Sequence, residues 1–281
     1  MRSLVFFAAM TVFASAAVPV RAEVKLQPGV PIEFDVPAAP RSLAQVKRGT
    51  QNEAVRMTIK LPAGYQASRS YPVLVFLNGG DGGMGGELNQ AEPFMGGGDY
   101  ILCNLPLFKD NVEGRTDDQQ LLLTPRDAGY AVPAFRLMLD QLRKLVPNVD
   151  ESRSVLAGFS NGGYGVALLL WSGDQDLLSR FSTFVLVEGG FWLGSDRTDE
   201  WPNEPFKPAA LAGLKGKRVA VLYGDQTQPP DRIAWIKSAQ KTIAALQAAG
   251  VEARGMPMPG VGHDFPPQEM AKARAWVLSQ P

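Results

Sequence analysis

Ser160 stands between glycines in Gly158-Phe-Ser-Asn-Gly162, at the end of the apolar run Arg153-Ser-Val-Leu-Ala157. A serine hydroxyl is a weak nucleophile until a base removes its proton. The chain has one histidine, His263, in Gly260-Val-Gly-His-Asp-Phe-Pro266, and an imidazole is the usual base for acyl transfer. Such a pair needs a carboxylate that orients the ring and stabilises it once protonated. Asp225, in Leu222-Tyr-Gly-Asp-Gln-Thr227, is the first choice, with Asp231 and Glu188 in reserve. Asp264, adjacent to the histidine, reads as a cap or a surface charge. A plainer account competes with this one: a G-x-S-x-G pattern arises readily in a chain with 29 glycines, and a lone histidine is commonly a surface or packing residue.

The elements that would position these groups decide between the two accounts. Val55 to Leu61 alternates apolar with polar, as a half-exposed strand does, and follows a proline-rich extended stretch over residues 23–51, which together predict an antiparallel lead-in. Tyr71-Pro-Val-Leu-Val-Phe-Leu77 is continuously apolar, predicting a strand buried on both faces, and runs into the glycine loop Asn78 to Gly86. Beyond it, strands at Tyr100–Leu105, Ser154–Ala157, Phe184–Val187, Arg218–Tyr223 and Ala253–Met258 alternate with helices. The helices fall at Ala128–Leu145, Gly162–Trp171, about Asp231 to Ala249, and Gln268–Ser279. Ile233, Ile236, Ile243 and Leu246 mark one buried stripe on the third of these. The alternation predicts an α/β chain, with a mostly parallel sheet and helices on both faces. Gly194 to Lys215, with three prolines, reads as an irregular insertion too short for a separate cap domain. In this order Ser160 falls at a strand-to-helix turn, a sharp bend that exposes its side chain, and His263 falls just after the last strand. Serine, acid and histidine then follow one another along the chain.

These residues resemble the α/β-hydrolase superfamily, and within it the secreted esterases related to feruloyl and acetyl-xylan esterases and polyhydroxybutyrate depolymerases. The resemblance runs from about Met57 to the C-terminus and rests on Gly158-Phe-Ser-Asn-Gly162, Gly262-His263 and Leu77-Asn-Gly-Gly80. It implies a serine esterase without a cofactor or metal. It also implies an oxyanion hole made by the peptide N–H of Asn161 and that of Gly80, with Gly79 as the alternative. Two positions depart from the family pattern. Asn78 stands where a histidine is common, and Thr227 stands where the acid is often found, so the choice among Asp225, Asp231 and Glu188 stays open. A catalytically inactive binding protein that keeps the fold is the competing expectation. Phe191, Trp192 and Trp201 are candidates for lining a substrate pocket, and the missing cap suggests bulky or polymeric esters.

Composition narrows the partners. Twenty-eight basic residues balance twenty-eight acidic ones with no long cationic run, which argues against nucleic acid. One His and one Cys do not make a zinc site, and Gly79 to Gly86 lacks the closing Gly-Lys-Ser/Thr of a nucleotide loop. Met1-Arg2-Ser3, an apolar stretch from Leu4 to Val18, and small residues at Val20 and Ala22 together read as a secretory signal peptide over residues 1–22. Cleavage at Ala17 and an uncleaved anchor are the alternatives. One mature domain over residues 23–281, periplasmic or secreted and free of the membrane, is expected. Cys103 then reads as a buried, inert thiol.

Overall fold

The computed structural model describes residues 24–36, 56–80, 88–107, 128–191, 208–226 and 232–279. The signal-peptide reading, most of the extended segment 23–51, and the candidates Asp231, Trp192 and Trp201 lie outside the described residues.

The chain begins with strands β1 (Pro31–Asp35), β2 (Arg56–Lys60) and β3 (Val73–Leu77), then helix α1 (Ala91–Met95), strand β4 (Ile101–Asn104) and helix α2 (Ala128–Leu145). Strand β5 (Val155–Phe159) leads directly into helix α3 (Asn161–Ser172), followed by α4 (Gln175–Ser179) and β6 (Thr183–Val187). Helix α5 (Pro208–Gly213), β7 (Arg218–Gly224), α6 (Arg232–Ala248), β8 (Glu252–Met258) and α7 (Pro267–Leu278) complete it.

The eight strands form one sheet in the order β1-β2-β4-β3-β5-β6-β7-β8. β1 pairs antiparallel with β2, and β2 antiparallel with β4; every pair from β4 onward is parallel. The antiparallel lead-in and the parallel remainder are as expected. Side chains alternate across a strand, so a strand buried on both faces must be apolar throughout. In β3, Val73, Val75 and Leu77 enter one hydrophobic cluster, with Phe135 and Met138 of α2, Val166 and Leu170 of α3, and Leu246 of α6. Leu74 and Phe76 enter a second cluster, with Phe94 of α1 and Met270, Ala273 and Trp276 of α7. Helices therefore cover both faces. Local signals set several ends: the Asp174 side chain accepts from the Leu177 N–H at 3.1 Å to start α4, and Pro267 opens α7, where its missing N–H costs nothing.

Three expectations change. β5 runs two residues past Ala157, because Phe159 stays in register with Val187 of β6. Residues 208–213 of the predicted irregular insertion are helical, and the short helices α1 and α4 were not anticipated, since one turn or so carries too little periodicity to read. On α6 the buried seam is Ser238, Ala239, Thr242 and Leu246, while Ile236 and Ile243 are only half-buried and the Ile233 side chain lies outside the described residues. The seam is polar in part because the Thr242 hydroxyl donates to the Ser238 carbonyl at 2.9 Å, which removes the cost of burying it.

Candidate active site

The functional groups are assembled by continuing the sheet one residue beyond its strands. Phe159 pairs with Val187, and Val187 with Leu222, so the next residues, Ser160 and Glu188, leave adjacent strand ends. The ladder extends to both: Ser160 N–H donates to the Val187 carbonyl at 2.8 Å, and Glu188 N–H to the Leu222 carbonyl at 3.0 Å. At that point each backbone turns into the left-handed half of conformational space, Ser160 at φ 54° and Glu188 at φ 48°; they are the two such non-glycine residues among those described. Positive φ in a non-glycine residue is strained and needs surroundings that hold it.

Glycine backbones supply them. A Cβ on Gly158 would sit 2.2 Å from the Gly162 carbonyl oxygen, and one on Gly162 only 1.8 Å from the Leu77 carbonyl oxygen. Strand β5, helix α3 and the end of β3 therefore meet backbone to backbone, which no larger residue permits. The same holds behind Glu188: a Cβ on Gly189 would lie 1.9 Å from the Ser160 carbonyl oxygen.

His263 comes from the loop after β8, three strands from β5, or about 14 Å at the usual inter-strand spacing. That loop is braced from β7. Gln226 N–H donates to the Val261 carbonyl at 2.9 Å, and Asp225 Oδ1 accepts from the Gly260 N–H at 2.7 Å. So held, His263 Nε2 lies 2.8 Å from Ser160 Oγ, and Nδ1 lies 3.4 Å from Glu188 Oε2. A carboxylate offers no proton, so the tautomer that fits carries its N–H on Nδ1 toward Glu188 and leaves Nε2 to accept from the serine hydroxyl. Glu188 is fully buried, and its other oxygen accepts the Gly224 N–H. The imidazole is half-exposed, so water and a substrate can reach it.

Asp225, the first choice of acid from sequence, is thus occupied in bracing the histidine loop, and the reserve Glu188 meets the ring. The difference is one of partners: Asp225 Oδ1 is taken by the Gly260 N–H and by Gln226 Nε2, whereas Glu188 Oε2 faces Nδ1 of the ring.

No protein-family model matches the chain, and no curated protein matches it. Solved structures do. Poly(aspartic acid) hydrolase-1 from Sphingomonas sp. KT-1 aligns with a TM-score of 0.58 at 14% identity, covering 90% of this chain and 100% of that one. The fluorophosphonate-binding serine hydrolase FphF of Staphylococcus aureus aligns at 0.55 with 13% identity, over 90% of this chain and 100% of that one. A thermophilic esterase of Thermogutta terrifontis, in its butyrate-bound structure, gives 0.55 and 16% identity, over 86% and 94%.

The chain has the α/β-hydrolase fold.

At these identities the likeness is one of fold, and any chemistry of this chain rests on its own residues. The elbow also brings up the candidate oxyanion groups. Asn161 opens α3 and is buried, and its Nδ2 donates to the Gly80 carbonyl at 2.6 Å. Gly79 lies against the elbow, since a Cβ there would be 2.9 Å from the Phe159 ring and 3.1 Å from Ser160 Cβ. Gly79 is therefore beside the serine, and Gly80 is held by the residue that follows that serine. Phe191, a candidate pocket residue, is 2% exposed and packs its ring edge-on against Trp235 at 4.9 Å, which makes it a core residue instead of an open wall. Phe159 was not singled out from sequence; its ring lies 5.2 Å from the imidazole. Only its place beside the serine could have signalled it. Among the described residues no group of three or more His, Cys, Asp or Glu could hold a metal ion, and no helix is long and apolar enough to cross a membrane.

Proposed function

We propose that this chain is a serine hydrolase that cleaves carboxylic esters through an acyl-enzyme intermediate. The observation that carries the reading is the 2.8 Å contact between His263 Nε2 and Ser160 Oγ at a strained strand-to-helix turn. Ser160 Oγ attacks the ester carbonyl while Nε2 takes its proton. The imidazolium, stabilised by Glu188, returns that proton to the leaving alcohol, and a water activated by the same ring then releases the acid. The developing oxyanion is met by the N–H of Asn161 and one from the Gly79–Gly80 loop, donors that cost no reorganisation when the charge appears. Asp225 acts at one remove, by holding the loop that carries His263.

The esterases and serine hydrolases among the aligned structures support ester hydrolysis as the reaction class. The signal-peptide pattern supports action outside the cytoplasm, in the periplasm or beyond, on carbohydrate or polyester-type esters. A half-exposed histidine suits large substrates. The inactive binding protein stays as the outcome that a negative test would establish.

The deciding experiment is hydrolysis of p-nitrophenyl acetate by the mature protein, Ser160→Ala and His263→Ala, with fluorophosphonate labelling of all three. Turnover and labelling are expected of the parent alone. An inert parent would replace the enzyme with a binding protein, and a Ser160→Ala variant that still labels would move the nucleophile elsewhere.

A further inference from the structure

The loop that begins at Asn78 has the wrong composition for precision. Glycine loses more conformational freedom on ordering than any other residue, and Gly79-Gly80 must nonetheless present an N–H within a few tenths of an ångström of a developing charge. Gly80 sits at φ 67° with open space around it, so sterics alone do not fix its rotation. Among the described residues, Asn161, immediately after Ser160 and 3% exposed, holds it through Nδ2, 2.6 Å from the Gly80 carbonyl oxygen. Because the partner is a carbonyl, the meeting atom must be the amide nitrogen. The opposite atom, Oδ1, is buried without a hydrogen-bond partner among the described residues. A buried acceptor left unmade costs stability, so as a folding device this amide is poorly placed.

We infer that the Asn161 side chain is a positioning residue of the oxyanion hole, clamping the glycine loop to the nucleophile turn. The inference rests on the serine-hydrolase reading and deepens it. The residue serves twice: its main-chain N–H faces the oxyanion, and its side chain holds the Gly80 carbonyl and thereby the backbone rotation of the loop that supplies the second donor. Two elements that are far apart in sequence then move as one body, and the hole is set before substrate arrives.

Asn161→Leu tests this, because leucine keeps the volume, removes the donor and also removes the unpaired oxygen. Asn161→Gln, which keeps an amide on a longer stem, is its partner. For Asn161→Leu, kcat on p-nitrophenyl acetate should fall about 10- to 100-fold with KM within about twofold, the mark of an interaction made in the transition state. Affinity for a trifluoromethyl ketone, which forms a tetrahedral adduct, should fall by the same factor. The melting temperature should hold or rise, and Asn161→Gln should recover part of kcat. The inference is overturned if Asn161→Leu keeps kcat and ketone affinity, or if it loses melting temperature while activity per folded molecule is unchanged. A parent protein inert to ester and fluorophosphonate alike fails differently, since it removes the hydrolase reading and the clamp with it.

Discussion

Glu188 combines two unfavourable features, a left-handed backbone and a carboxylate with no exposure to water. A buried charge persists only where donors meet it, and here they are the Gly224 N–H and the Nδ1 side of His263. A carboxylate so placed can orient the imidazole and stabilise it once protonated, the part an acid plays in a triad. Glu188→Gln should therefore lower kcat/KM about 10³- to 10⁴-fold, whereas Asp225→Asn, which only loosens a loop contact, should cost less than about tenfold. Steady-state kinetics on both variants decide which carboxylate serves. Ser160 and His263 were legible in sequence because both sit on glycine-flanked turns after strands. The choice of carboxylate was not, because Asp225, Asp231 and Glu188 all follow or approach strand ends and only their neighbours in space separate them.

At the scale of elements, the site is built from close approaches that only glycine allows. The turn after β6 lies directly behind the turn after β5, with Gly189 against the Ser160 carbonyl and Gly163 against Gly189 itself. Gly189→Ala should destabilise the fold by about 2–4 kcal/mol through this collision, and activity should fall with it. Gly216 provides the contrast: its φ is 78°, yet a Cβ added there would meet nothing within 4 Å, so Gly216→Ala should cost only about 1–2 kcal/mol, the backbone penalty alone. Urea midpoints of the two variants separate crowding from conformation. Strand and helix alternation was readable because the central strands are largely apolar runs separated by longer helical stretches. Helices of five or six residues were not, and the α6 seam was misplaced because packing chose Ser238, Ala239 and Thr242 over the half-buried Ile236 and Ile243. Ile243 still packs on β8, where a Cβ on Gly255 would lie 2.7 Å from its Cδ1.

Across the whole molecule, the sheet separates two hydrophobic layers and lifts the chemistry to one edge. Cys103 belongs to the interior: it is fully buried on β4, and burial pushes its thiol far above the ordinary range, so it has almost no thiolate. Native protein should leave this thiol unreacted with iodoacetamide for as long as the fold persists, and labelling should track unfolding in urea. Rapid modification of the native state would place the residue elsewhere. Local composition along the chain determined the strands, the long helices, the sharp serine turn and the glycine-flanked histidine, because periodicity, β-branching and glycine act over a few residues and do not need the rest of the fold. Tertiary structure alone decided that β6 lies beside β5, that Glu188 meets His263 while Asp225 ties down its loop, and that Asn161 reaches Gly80. Those are contacts between residues 75, 35 and 81 positions apart, and no local pattern ranks one such pairing above another until the strand order is fixed.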